Sequence, residues 1–263
     1  MKSTVLKVVL PIVAVIAVIA VLIGVFGIAP WIVRGSGPVI EREYPFEDFD
    51  RLEVSSAIEF EVTQGAYSIS ATGYENLIER LEVDLAGRTL RIGLKPGSYF
   101  RNNVKAVIAL PELSRLVVSG ACRGTAEGIT AADDLDLEVS GASRLEIDIE
   151  AGRVRMDVSG ASRITGELTS PNARLTISGA SRCELTGSAY DMDLDVSGAS
   201  RVDLSQFQIQ HADVDVSGAS QATIHVAGTL NVDVSGASSL RYAGDPVLGR
   251  VNVSGASRLD RIN

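Results

Sequence analysis

The tripeptide Ser-Gly-Ala returns at Ser119, Ser140, Ser159, Ser178, Ser197, Ser217, Ser235 and Ser254, at intervals of 21, 19, 19, 19, 20, 18 and 19 residues. A period in this range marks a repeat architecture, in which each unit buries its apolar face only by stacking on its neighbours. Between the tripeptides the apolar residues fall on alternate positions. Leu135, Leu137 and Val139 precede one tripeptide, and Leu145, Ile147 and Ile149 follow it in the same frame. Met192, Leu194 and Val196 continue likewise into Val202 and Leu204. Period 2 is the pattern of a strand with one buried face. The alternation, the glycine content and the β-branched residues exclude helix. No Asn-Gly or Asp-Gly loop recurs, so the units are not hairpins.

The fold class expected is therefore all-β: a right-handed, single-chain parallel β-helix, or β-solenoid, with coils of ~19 residues and two or three strands per coil. Residues 117–263 hold the regular coils and 46–116 about three degenerate ones, signalled by Ser55-Ser56-Ala57. Together these predict about 11 coils, a rod near ~50 Å long at ~4.8 Å per coil. The tripeptides form its corners. Gly120, Gly141, Gly160, Gly179, Gly198, Gly218, Gly236 and Gly255 are the structural corner residues, pointing inward or taking a positive φ. The serine after each Ser-Gly-Ala is expected to point inward, in a hydroxyl column that hydrogen-bonds along the stack. Glu75–Glu82 reads as one or two helical turns among the degenerate coils.

Ahead of the coils, residues 8–33 form an uncharged run of 26, dense in Val, Ile, Leu and Ala. About 20 apolar helical residues span a bilayer. Lys2 and Lys7 precede the run, which places the N-terminus in the cytoplasm and everything after Val33 outside it. The competing reading is a signal peptide cut near Gly27 or Ala29, with an apolar region longer than the usual ~7–15 residues. No cysteine follows the run, so the chain is not a lipoprotein. The organisation expected is a cytoplasmic terminus and transmembrane signal anchor at 1–34, a linker at 35–45, and a solenoid at 46–263. The protein is placed in the cell membrane with its solenoid extracytoplasmic.

Several pieces of the chain resemble a known family. They are Leu52–Gly65 (LEVSSAIEFEVTQG), Glu75-Asn76-Leu77, Thr89–Leu94, Ala109–Ser114 and the Ser-Gly-Ala corners themselves. Together they are similar to the bacterial and archaeal putative auto-transporter adhesin, head GIN domain family, from roughly Phe46 to the C-terminus. The resemblance implies a pectate-lyase-like β-helix without catalytic residues, exported, with adhesion as its suggested role. This chain departs from the family name in carrying an apolar anchor rather than any segment able to form an outer-membrane barrel.

Charge narrows the partners. The chain has 24 basic and 33 acidic residues; without Lys2, Lys7 and Arg34 the balance from Gly35 onward is 21 against 33, or −12. That excludes nucleic acid, whose binding draws on clustered Lys and Arg. The outward slot two residues before each corner holds Glu138, Asp157, Thr176, Asp195, Asp215, Asp233 and Asn252. Two readings compete for this column. Either it is a solvated ladder relieved by the arginines after the corners (Arg144, Arg163, Arg182, Arg201, Arg258) and their neighbours Glu146, Glu184, Asp203 and Asp260, or Ca²⁺ binds along Asp157, Asp195, Asp215 and Asp233. The calcium-binding Gly-Gly-x-Gly-x-Asp repeat is absent, and the solvated ladder is preferred.

No catalytic residue and no cofactor is assigned. The acidic residues recur in every coil, whereas an active site is a single interruption of the pattern. No Gly-x-Ser-x-Gly elbow occurs. His211 and His225 are separated and have no evident partner. Cys122 and Cys183 fall three coils apart, roughly 14 Å, beyond disulfide reach, and are expected to be buried free thiols. The expected role is non-catalytic: adhesion, envelope organisation or ligand display. The alternative is an exported carbohydrate-binding or carbohydrate-active protein, although the repeats hold only Tyr190, Phe207 and Tyr242 as aromatics. A local cluster of aromatic and carboxylate side chains in a groove would favour that alternative. Self-association through the last coil is the remaining partner expectation, because no amphipathic cap follows Arg258.

Overall fold

A computed structural model describes residues 32–262 of the protein. The chain enters as β1 (Ile32–Arg34) and β2 (Val39–Glu43), then forms a first coil from β3 (Arg51–Val54) and β4 (Glu59–Gln64) around Ser55-Ser56-Ala57. It does not stack upward from there. β5 (Ser68–Tyr74), a single helical turn α1 (Glu75–Ile78), β6 (Leu81–Ala86), β7 (Thr89–Leu94), β8 (Ser98–Phe100) and β9 (Lys105–Leu110) come next. β7 pairs in parallel with one edge of β3, and β9 with one edge of β4. Only then do β10 (Arg115–Val118) and β11 (Arg123–Val139) return to the opposite edges of β3 and β4. The coil at 89–110 thus lies outside the coil at 51–64 although it follows it in sequence.

Antiparallel strands cover this end. β5 pairs with β9, β2 with β5, and β6 with β7, while β1 runs parallel to β8. α1 drives Leu77 and Ile78 into the core, each 0% exposed. Two expectations change here. Much of 46–116 is antiparallel cover rather than further coils, so the solenoid has about eight turns instead of 11, a rod nearer ~40 Å. The segment 35–45, read as a linker, contains β2 and belongs to the cover, with Gly35 donating to Phe100 O at 3.0 Å and Asn76 holding Ser36 N at 2.9 Å. The apolar run at 8–33 lies outside the described residues except for its last two, Ile32 and Val33, which are in β1. No helix among the described residues is long and apolar enough to cross a membrane.

Beyond β11 each coil is one long bent strand: β12 (Arg144–Val158), β13 (Arg163–Ile177), β14 (Arg182–Val196), β15 (Arg201–Val216) and β16 (Gln221–Val234). The stack finishes with β17 (Ser239–Ala243), β18 (Val247–Val253) and β19 (Arg258–Arg261). All neighbours in this stack are parallel and in register at the corners. The unequal repeat lengths are absorbed elsewhere. The long first interval appears as register shifts between Ala126 and Ile129 and between Ala131 and Asp134, and the 20-residue interval as a shift between Glu184 and Gly187. An extra residue in a bend kinks the strand locally and leaves the corner column straight.

The corners resolve the choice left open for glycine. All eight corner glycines are exposed and have φ between 72° and 87°, so they turn the chain rather than fill the core. An added Cβ at Gly198 would land on the carbonyl oxygen of Gly179 in the coil below. Corner coils touch backbone to backbone. Ala161 N donates to Gly141 O at 2.8 Å, Ala180 N to Gly160 O at 2.8 Å, and Arg182 N to Ser162 O at 2.9 Å. The inward serines Ser143, Ser162, Ser181, Ser200, Ser220 and Ser238 are all buried as expected. Their hydroxyls bond along the stack to backbone rather than to one another, Ser220 Oγ accepting from Ser200 N and Ser238 Oγ from Ser220 N, each at 3.4 Å. Ser200 Oγ reaches Gly179 O at 3.4 Å, and Ser143 and Ser162 have no partner. The backbone ladder holds the corner; serine is mainly a small inward filler.

Candidate functional site

Stacking turns each outward position into a column, and the columns decide what the surface can do. Asp195, Asp215 and Asp233 sit in direct register, with Thr176 separating them from Asp157. Burial, then the neighbouring Asp233 and Asp195, push the Asp215 carboxyl above its ordinary range. The lower rungs are relieved instead. Arg115 reaches Glu138 at 3.1 Å, and Arg155 reaches Asp157 at 3.3 Å. Among the described residues no three of His, Cys, Asp and Glu converge closely enough to hold a metal ion.

On the other flank of the corner, Arg123, Arg144, Arg163, Arg182 and Arg201 stack in register, and the last four line a groove of about 440 Å³ together with corner alanines. The diagonal ion pairs expected here form at one rung. Glu184 lies 3.6 Å from Arg182 and 4.0 Å from Arg163, while Arg201 donates to Gln221 Oε1 at 2.9 Å. Exposed pairs of this kind contribute ~0–1 kcal/mol each.

The two thiols are withdrawn from solvent. Cys122 and Cys183 are free and buried, and burial pushes the Cys183 thiol up to about 12. Cys122 is raised by the same cause. A thiol held protonated at neutral pH is unreactive.

One cluster interrupts the ladders. Coil alignment puts Pro171 one coil below, and Gly152 two coils below, in the bend that Tyr190 occupies. Tyr190 is 59% exposed. His211 from the next coil packs edge-on against its ring, with centroids 5.1 Å apart and planes at 78°. His211 Nδ1 is in turn 2.6 Å from Thr229 Oγ1, one coil further on. His211 therefore does have partners, supplied by the coils on either side. Residue 190 lies one coil and one residue before 211, so alignment of the repeats would have exposed the pair. A groove of about 510 Å³ opens beside Tyr190, lined also by Thr130, Glu150, Thr169 and Ser188.

The described residues form a parallel β-solenoid with corner ladders and one covered end. The chain belongs to the family described as "putative auto-transporter adhesin, head GIN domain", which residues 48–246 match; β18 and β19 lie beyond the matched span. Among solved structures, a putative adhesin from Parabacteroides merdae ATCC 43184 superposes with a TM-score of 0.79 at 18% identity, covering 88% of this chain and 99% of that one. A protein from Parabacteroides distasonis ATCC 8503 described as a putative lipid binding protein gives 0.79 at 19% identity, covering 88% and 100%. A putative adhesin from Bacteroides fragilis NCTC 9343 gives 0.69 at 18%, covering 88% and 100%. At such identities the likeness shows a shared fold. No curated protein matches the chain.

Proposed function

We propose that the protein is a membrane-anchored, extracytoplasmic display solenoid whose role is binding at the cell surface without catalysis. The observation that carries this reading is the way the chain enters the head. Ile32–Arg34 pairs directly with Ser98–Phe100 at the covered end. The apolar residues before Ile32 therefore join the head where the antiparallel strands lie. If they cross a bilayer, that end faces the membrane and the coils stand away from it. Surface ladders that repeat from coil to coil, with thiols and inward serines buried, support binding over chemistry. The neighbour described as lipid-binding suggests a second ligand class. Here the coil interior is filled by side chains such as Leu175, Leu194 and Val214, each at most 3% exposed, so a lipid would have to use the outer surface.

Cell fractionation and protease treatment of intact cells test the anchor. The expected result is recovery of the full chain in the membrane fraction, with the head digested from outside. Recovery in the cytosol, or protection in intact protoplasts, would overturn it. Retention of the purified full chain by isolated envelope fragments tests the binding role.

A further inference from the structure

Tyr190 differs from the other large aromatics of the regular coils. Phe207 is fully buried and Tyr242 packs against the core, whereas Tyr190 stands in solvent. An exposed tyrosine ordinarily keeps its rotamer freedom. This ring is held by His211 at its side, and His211 is itself held by Thr229. Preorganisation of that kind lowers the ordering cost of anything that stacks on the ring.

The surroundings favour a ring-shaped polar ligand. Toward the N-terminal coils the bend narrows to Pro171 and Gly152, and Gly152 leaves no room for a side chain because a Cβ would lie 2.5 Å from Ala132 O. Tyr190 therefore stands above a shallow trough crossing four coils, roughly 14 Å at the coil spacing. The trough offers the hydroxyls of Thr130, Thr169 and Ser188 and the carboxylate of Glu150. A pyranose has one apolar C–H face and a rim of hydroxyls. Its C–H hydrogens meet the negative face of an aromatic ring much as the edge of another aromatic does, and its rim matches hydroxyl and carboxylate partners.

We propose that the Tyr190 trough is a saccharide-binding site for a short glycan segment, one ring stacked on Tyr190 and the next units along Ser188, Thr169 and Glu150. The proposal rests on the display reading and names its ligand class. Binding involves no bond cleavage and assigns Glu150 only as a hydrogen-bond acceptor.

The test is a glycan array of neutral, N-acetylated and uronic-acid oligosaccharides, probed with the full chain in a non-glycosidic detergent. Wild type is expected to retain at least one of these classes. Tyr190→Phe keeps the stacking face and should bind like wild type, whereas Tyr190→Ala should weaken the same glycan about tenfold or more. His211→Ala should weaken it less, by releasing the ring. Melting temperatures should stay within a few degrees of wild type, because Tyr190 contributes little buried area. Retention of no glycan, or equal binding by Tyr190→Ala, would overturn the proposal. Envelope fragments separate the two readings. Fragments that bind wild type and Tyr190→Ala equally leave display standing and remove the site, whereas fragments that bind neither remove the display reading itself.

Discussion

The two ends of the rod are built from the same coil and finished differently. At the N-terminal end, Leu52 and Leu90 in successive coils are both 0% exposed, because α1 and the antiparallel strands close over them. At the other end, Leu230, Val232 and Val234 are 0% exposed, yet their partners one coil higher, Leu248, Val251 and Val253, are 45%, 40% and 45% exposed. No element among the described residues covers that last inward face. Parallel stacking thus gives a sealed core at one end and an open apolar face at the other. What differs is the covering layer, not the coil, and in a solenoid stability is a sum over nearest-neighbour interfaces.

The largest effects should come from the corner, where position along the rod matters. Gly198→Val adds a branched side chain at φ +77° against Gly179 O, with coils both below and above. We expect no folded protein, read as loss of the strand signal in circular dichroism. Gly255→Val meets the equivalent oxygen of Gly236 but has no coil above it among the described residues. It should fold with a lowered melting temperature. Ser197→Ala, at a partly exposed corner hydroxyl, should be nearly silent. Equal damage from the two glycine variants would mean that the end coil is as constrained as the middle.

Next in size is the cover itself. Leu77→Ala in α1 removes a fully buried side chain and should cost about 2–5 kcal/mol in chemical denaturation. Leu259→Ala in β19, only partly buried, should cost about 1 kcal/mol or less. Comparable losses at the two sites would show that the far end is covered in solution.

The sequence made the regular coils legible because their corners cannot vary. A positive φ demands glycine, backbone contact forbids a Cβ, and the frame of alternate burial runs straight from Leu135 to Ile149 apart from the glycine itself. The covered end was not legible. β5, β7 and β9 have the same alternating pattern whether they pair in parallel or antiparallel, so Ser68–Tyr74 reads as another coil. The out-of-order stacking of 89–110 outside 51–64 leaves no trace in periodicity either. The inward serines followed from parity, and the free thiols from the coil spacing between Cys122 and Cys183. The Tyr190–His211 pair was missed because the two residues are neighbours only across coils, at an offset one residue longer than a repeat.

The pH-linked effects carry a sign that distinguishes the covered end from the regular coils. Asp50, at the covered end, is penalised by burial, but hydrogen bonds from Arg88 and Ser114, each 2.9 Å long, outweigh that and hold its carboxyl below the ordinary range. A depressed value means that the ionised form stabilises the fold above the unfolded pKa of ~3.9, and that this contribution is lost as pH falls through the lower folded value. Asp215 is opposite. Burial and its stacked neighbours raise it, so ionisation opposes folding above its folded pKa, and the penalty fades as pH falls through that value toward ~3.9. Asp50→Asn should therefore lower stability at pH 7, by about 1–2 kcal/mol for the weakened hydrogen bonds to a charged group. Asp215→Asn should raise it by a few tenths of a kcal/mol, since solvent screens an exposed ladder. Both differences should shrink as thermal melts are repeated toward pH 3, the Asp215 difference at the higher pH. A melt in which Asp215→Asn destabilises at pH 7 would mean that a positive charge, from Arg250 or a bound cation, outweighs the repulsion along the ladder.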